Sequence, residues 1–138
     1  MTTLRRNLVR AAVAVAGATM LAAGGSATAS AATPRNGVCE AGEVCFYYLD
    51  NRGGSLSDFT TSVANYGTTQ PTCYDFRSAG AGQGLCMKNN ARSAWNRSSS
   101  TVRVYFNSYY GGSSDPVAPN SARNLSVTYD NNASHRFL

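Results

Sequence analysis

The chain has 138 residues, of which 43% are hydrophobic and 14% are charged, enough for a single domain with a modest core. Its net charge is +5, but beyond the first ten residues the lysines and arginines stand singly along the chain. Because nucleic-acid binding needs a clustered basic surface, we exclude nucleic acid as a partner.

The first 31 residues have the features of a secretory signal peptide. Three arginines lie within the first ten residues, an uncharged apolar run covers residues 11–23, and Ala29-Ser30-Ala31 forms a cleavage site before Ala32. Ala27-Thr28-Ala29 is a second cleavage site, and the apolar run is too short to span a membrane. Cleavage would remove the three arginines and lower the net charge to +2. The sequence therefore predicts a secreted, extracellular domain of residues 32–138 that has no membrane anchor.

Four segments of that domain predict β-strands. Residues 102–107 and 125–129 alternate apolar with polar side chains, the pattern of strands that have one buried face. Residues 44–49 and residues around 85–88 also favour strands. Clusters of Gly, Ser, Asn and Asp separate these segments, and no window has a sustained helical period. We expect an all-β fold of two packed sheets.

A pattern of residues at 44–55 recurs at 102–113. Tyr47 and Gly54 of the first copy match Tyr105 and Gly112 of the second. A β-branched and aromatic run that ends in a Gly-Gly turn is typical of a strand entering a hairpin. Two copies in a short chain predict one domain built from two similar β-units.

Four cysteines in an exported domain of this size predict two disulfides. Three pairings are open in principle, and we expect Cys39–Cys45 and Cys73–Cys86, because each bridge then closes between neighbours in sequence. The second bridge would close the glycine-rich segment 74–84 at its base. Such a segment is either a tolerated surface insertion or a binding loop presented by a rigid scaffold.

The repeated pattern resembles the aromatic corner of the βγ-crystallin Greek-key motif. The first copy has Arg52 where the second aromatic of the signature belongs. The resemblance implies a βγ-crystallin-like Greek-key sandwich of two similar motifs, held by disulfides. The residues that match the corner are Tyr47 and Gly54 in the first copy and Tyr105, Tyr110 and Gly112 in the second.

Each copy is followed by a segment that looks like the N/D-N/D-x-x-S/T-S element of microbial βγ-crystallins, at residues 89–93 and 120–124. Together with the leader and the four cysteines, these segments resemble the secreted bacterial peptidase inhibitors of crystallin fold. The resemblance covers residues 38–130. It implies a monomer whose partner is an extracellular protease, most notably a zinc metalloprotease of the thermolysin type.

The resemblance also implies the site. In such inhibitors a disulfide-tied loop enters the protease cleft like a substrate and presents a carbonyl to the zinc. The reactive bond follows a half-cystine and precedes an apolar residue. Here two bonds have this form, Cys73–Tyr74 and Cys86–Met87, and we rank the first above the second.

Calcium is a second property that the resemblance implies. Asn89, Asn90 and Ser93 match the oxygen ligands of the crystallin-type site, although neither segment supplies a carboxylate of its own. The alternative is that these side chains cap turns by bonding to the backbone, and we favour that alternative.

We expect no enzymatic activity. His135 is the only histidine and lies close to the carboxyl end, where fraying is common, and paired cysteines leave no thiol nucleophile. Two other function classes stay open: a structural or weakly calcium-binding crystallin, and a secreted toxin or cell-wall-binding module.

Overall fold

Seven short strands form two antiparallel sheets in a computed structural model that describes residues 30–138. Residues 1–29 of the predicted leader lie outside the described residues, and Ala32–Leu138 form one compact unit. In the described part, no helix is long and apolar enough to cross a membrane. The strands are β1 Val44–Tyr47, β2 Leu56–Phe59, β3 Ser93–Asn96, β4 Val102–Asn107, β5 Gly111–Val117, β6 Ser121–Asn124 and β7 Ser134–Phe137.

Each of the two sheets contains backbone from both halves of the chain. The first sheet has the order β2-β1-β3-β6, so β6 from the second half closes the sheet of the first half. The second sheet has the order β5-β4-β7. Val63 from the first half extends it beyond β7 through a single bridge to His135, with both backbone N–H···O distances at 3.0 Å. This reciprocal exchange is the Greek-key arrangement of two similar motifs, as predicted.

Two of the four predicted strands are confirmed. Residues 44–49 contain β1 and residues 102–107 coincide with β4, in which Val102 and Val104 point into the core. Residues 85–88 do not form a strand, because only Cys86 bridges, to Asp75.

The predicted strand at residues 125–129 is also wrong. The buried carboxylate of Asp115 accepts hydrogen bonds from the backbone N–H groups of Ser126 and Thr128, at 3.0 and 2.9 Å, and from the Thr128 hydroxyl. These bonds bend the segment into a turn. Burial acts to raise the pKa of Asp115, but the hydrogen bonds outweigh it and hold that pKa below its ordinary value.

An aromatic cluster fills the space between the sheets. Phe46 and Phe59 meet edge to face with ring centroids 6.0 Å apart, and Tyr66 lies 6.3 Å from each. The aliphatic part of the core comes from both sheets, as expected for a sandwich. Its main members are Val44, Val102, Val104, Val117 and Met87.

His135 lies in this core and not in a frayed end. Its Nδ1 accepts a hydrogen bond from the Tyr66 hydroxyl at 2.9 Å, so its Nε2–H donates to the Thr61 carbonyl, also at 2.9 Å. Complete burial lowers its pKa to about 4. The imidazole is therefore neutral at physiological pH and is part of the packing.

Candidate functional site

The two predicted corners have the same backbone conformation. Each has three residues with left-handed φ at matching positions, where an ordinary side chain is strained and glycine is not. In the second corner the rings of Tyr105 and Tyr110 lie 5.7 Å apart, edge to face. In the first, the Arg52 guanidinium lies 4.7 Å from the Trp95 ring. The φ values are 55° for Asn51, 60° for Arg52 and 73° for Gly54, against 59° for Tyr109, 62° for Tyr110 and 78° for Gly112.

A buried serine closes each corner. Ser93 Oγ donates to the Leu49 carbonyl at 2.7 Å and accepts from the Arg52 N–H at 2.9 Å. Ser134 Oγ makes the same pair of bonds in the second corner, to Asn107 at 2.7 Å and from Tyr110 at 3.1 Å. Each hydroxyl therefore joins the start of a strand to the turn of its own motif.

The counterpart of residues 89–93 is therefore residues 130–134, and the predicted match at residues 120–124 is wrong. Asn120 belongs to a turn and the rest of that segment forms β6. Asp130 and Asn89 also share a left-handed φ, of 54° and 61°. The spacing Asp130-Asn131-x-x-Ser134 carries the same pattern and was the signal available in the sequence.

Two of the three residues predicted as calcium ligands, Asn90 and Ser93, bond the backbone through their side chains. Asn90 Nδ2 donates to the Cys86 carbonyl at 2.8 Å, and the Asn89 N–H donates to the Asn132 carbonyl at 2.8 Å. The Ser93 hydroxyl is engaged in the corner. Between residues 30 and 138, no group of three or more His, Cys, Asp or Glu could hold a metal ion. The Asn90 and Ser93 side chains are thus engaged in bonds to the backbone.

The four cysteines form the two local disulfides expected from the sequence. Cys39–Cys45 joins the amino-terminal segment to β1, and Cys73–Cys86 closes the glycine-rich segment with its Cα atoms 5.7 Å apart. The described residues contain no free cysteine.

The segment between Cys73 and Cys86 is a hairpin whose base is held by backbone hydrogen bonds. The Met87 N–H donates to the Tyr74 carbonyl at 2.7 Å, and Phe76 exchanges bonds with the opposite side, donating to Leu85 at 3.0 Å and accepting from Gly84 at 2.9 Å. Phe76 itself is buried in the core. The base of the loop is therefore continuous with the framework.

The tip of this hairpin packs against the first corner. The Ser55 N–H donates to the Ala81 carbonyl at 2.9 Å, and the Ser55 hydroxyl donates to the Ser78 carbonyl. At Gly82 a Cβ atom would lie 2.3 Å from the Tyr48 ring, so only glycine permits this approach. The glycines here serve close packing as well as turning.

The structure separates the two candidate bonds. Met87 is completely buried, and the Cys86 carbonyl already accepts from Asn90, so the Cys86–Met87 bond cannot face a protease without unfolding. Tyr74 is 36% exposed, whereas Cys73 is only 7% exposed. No hydrogen bond within residues 30–138 ends on the Cys73 carbonyl.

Leu85 is an exposed apolar residue of the loop that sequence reasoning missed; its exposed fraction is 46%. The carbonyl before it, on Gly84, accepts from Gln70 Nε2 at 2.7 Å, and the Leu85 N–H donates to Gly82 at 3.0 Å. The bond between Gly84 and Leu85 is thus held through both its carbonyl and its N–H. At the bond between Cys73 and Tyr74, the Tyr74 N–H donates to the Tyr66 carbonyl at 2.8 Å, and the Cys73 carbonyl has no donor within residues 30–138.

Comparison with protein families gives one match that covers most of the domain. The model of peptidase inhibitor family I36 matches residues 32–117. None of the curated proteins matches the chain.

Comparison with solved structures finds βγ-crystallin domains. A structure described under the evolution of the eye lens βγ-crystallin domain fold has a TM-score of 0.51 at 15% identity and covers 80% of this chain and 93% of its own. A βγ-crystallin from Ciona intestinalis has a TM-score of 0.49 at 15% identity, covering 70% and 100%. A βγ-crystallin from an archaeon has a TM-score of 0.48 at 23% identity, covering 72% and 100%.

Proposed function

The chain belongs to peptidase inhibitor family I36, and from that premise we propose that it is a secreted, monomeric inhibitor of an extracellular thermolysin-type zinc metalloprotease. The active form is residues 32–138, freed from the leader. The family assignment carries the inhibitory class, whereas the kind of protease rests on the resemblance of the sequence. The loop between Cys73 and Cys86 is the proposed contact with the enzyme.

The observation that carries the proposal is the state of the Cys73–Tyr74 bond. Tyr74 is partly exposed, and the Cys73 carbonyl has no hydrogen-bond donor in the described part of the chain. A thermolysin-type zinc keeps one open position beside its three protein ligands. The Cys73 carbonyl would take that position while the Tyr74 ring enters the apolar pocket that receives the residue after the scissile bond.

Rigidity explains why such a loop inhibits and is not simply digested. Hydrolysis would add one water across the Cys73–Tyr74 bond and give a carboxylate on Cys73 and an ammonium on Tyr74. The disulfide and the hairpin bonds to Phe76 hold both new ends in place. Release is therefore slow, and the reverse reaction, which expels the water, competes with it.

The test is a titration of oxidised residues 32–138 against thermolysin. We expect stoichiometric inhibition that is lost when the disulfides are reduced. Tyr74→Asp should abolish inhibition without unfolding the domain, because a charged side chain does not enter an apolar pocket. Its matched control is Tyr109→Asp, at an exposed tyrosine of the second corner, which should inhibit like the wild type. A folded, oxidised protein that leaves thermolysin fully active at micromolar excess would overturn the proposal.

A further inference from the structure

Arg35 lies at the base of the loop although it comes from the amino-terminal segment. Its Nη2 donates to the Asp75 carbonyl at 2.8 Å and approaches the Asp75 carboxylate at 3.2 Å. Its Nη1 donates to the Ser57 hydroxyl at 2.5 Å. One guanidinium therefore links β2 to the residue that follows Tyr74.

The same guanidinium lies against two aromatic rings. It is 4.6 Å from the centroid of Phe59, a core residue, and 5.3 Å from that of Tyr74. The two rings are 5.4 Å from each other. Arg35 thus fixes the Tyr74 ring by stacking and the Asp75 backbone by hydrogen bonding.

The backbone around Arg35 is held as firmly as its side chain. The Asp58 carboxylate accepts from the N–H groups of Asn36 and Gly37, both at 2.8 Å. From the loop side, Arg77 Nε donates to the Arg35 carbonyl at 3.2 Å. Residues 35–37 are therefore wedged between β2 and the loop, and the Arg35 side chain is only 19% exposed.

We infer that Arg35 is a positioning residue for inhibition, one that holds Tyr74 and Asp75 so that the loop behaves as an inhibitor and not as a substrate. The inference rests on the proposed function. After hydrolysis of the Cys73–Tyr74 bond, the carboxylate side is tethered by the disulfide at Cys73 itself. Arg35 adds to the hairpin bonds and to the Ser57 hydroxyl, which donates to the Asp75 carbonyl at 2.9 Å, in holding the amine side. Its loss therefore loosens that side alone and favours product release over religation.

Two substitutions test this role. Arg35→Met keeps the length and apolar stem but loses every donor, and Arg35→Lys keeps the charge but cannot span Ser57 and Asp75. The matched control is Arg92→Met, because Arg92 also pairs with a carboxylate, Asp130 at 3.1 Å, and lies 5.5 Å from the Tyr129 ring, away from the loop.

The measurements are inhibition of thermolysin over time and the masses of the fragments after reduction. We expect Arg35→Met to be cleaved between residues 73 and 74 roughly tenfold faster than the wild type or more, and its inhibition to fade. Arg35→Lys should be intermediate, and Arg92→Met should match the wild type. If Arg35→Met does not fold, Arg35→Lys alone decides. A folded variant that inhibits as durably as the wild type overturns the inference.

Hydrogen exchange measured without protease tests the positioning role of Arg35 independently of the proposed inhibitory function. The Met87 N–H, which bonds to the Tyr74 carbonyl, should exchange faster in Arg35→Met than in Arg92→Met. If exchange is faster but the wild type does not inhibit thermolysin, the proposal of a thermolysin-type target is wrong. The role of Arg35 in positioning the loop is then still supported. Unchanged exchange would overturn the positioning role whatever the protease result.

Discussion

The two halves of the domain share one corner and differ in what lies between that corner and the strand that closes it. The contact from Ser93 to Leu49 spans 44 residues in the first half, and the equivalent contact from Ser134 to Asn107 spans 27 in the second. The first half therefore carries 17 additional residues at the same place in the same motif. These residues build the loop between Cys73 and Cys86. The framework and the loop are thus separable parts of one repeated design.

The difference also shows where a Greek key tolerates insertion. In the second half, β6 is a four-residue strand that completes the first sheet. In the first half the corresponding element is reduced to the single bridge at Val63. The first half has less strand pairing at this position. The Cys73–Cys86 disulfide limits the conformational entropy of the longer connection in the unfolded chain.

Removing the Cys73–Cys86 bridge should have the largest effect, because only the enlarged half depends on it. We expect Cys73→Ser/Cys86→Ser to lower the free energy of unfolding by about 3 kcal/mol. Cys39→Ser/Cys45→Ser, which opens a shorter loop, should cost about 2 kcal/mol. Urea denaturation of both double variants gives the two values. Equal losses would mean that loop length does not set the contribution.

The serines test whether the two corners are equivalent. Ser93→Ala and Ser134→Ala each leave a turn N–H and a carbonyl without a partner, and each should cost about 2 kcal/mol. Urea unfolding measures both. A much smaller loss of unfolding free energy for Ser134→Ala than for Ser93→Ala would show that the two corners have the same geometry but contribute unequally to stability.

Alanine at the corner glycines should have a smaller effect, and it sharpens the comparison. Gly54→Ala and Gly112→Ala both place a side chain at a left-handed φ, at a cost of about 1 kcal/mol. At Gly54 the new Cβ would approach the loop, at 3.0 Å from the Ala81 carbonyl, whereas at Gly112 it would press on the movable Asn107 amide of its own corner, at 2.7 Å. We therefore expect similar melting temperatures but weaker inhibition for Gly54→Ala alone. Equal inhibition by the two variants would contradict the contact between corner and loop.

The smallest net effect should come from pH, because a buried ionisable group in each half acts in the opposite direction. Burial, aided by the nearby Asp58, raises the pKa of Glu43 from 4.5 to about 7, so the folded state retains a proton that the unfolded chain loses, and stability falls as pH rises through that window. Burial lowers the pKa of His135 from 6.5 to about 4, so stability falls as pH drops through that window.

The two effects oppose each other between pH 4.5 and 6.5, where the melting temperature of the wild type should change little. Glu43→Gln mimics the protonated acid and removes one of them. Its melting temperature should rise with pH across this range and exceed that of the wild type at pH 8. Parallel curves for the two proteins would show that Glu43 is not the titrating group.

The sequence predicted those strands whose buried side chains are apolar. β1 and β4 show the aromatic and β-branched pattern, but β2 and β3 bury polar residues such as Ser57 and Asn96 and were missed. Asn96 is satisfied across the sandwich, where its Nδ2 donates to the Val117 carbonyl at 3.0 Å. Hydropathy cannot register a polar side chain whose partner is supplied by the fold.

The site was predictable only where its contacts are local. The cysteine pairing follows from sequence neighbours, and so does the position of the loop. Arg35 could not be found, because its bond to Asp75 joins residues 40 positions apart and exists only once β2 and the loop meet. The burial of Met87 likewise depends on tertiary packing and not on its place beside a cysteine.

The ends of the loop are 5.7 Å apart and covalently joined, and the stretch at residues 79–85 is mostly exposed and lies outside the strands. A segment of this kind can be exchanged without redesigning its support, provided that Gly82 and the bond from Ser55 to Ala81 are kept. Evolution, or a protein engineer, could therefore rewrite this one short stretch while the crystallin framework continues to fold as before.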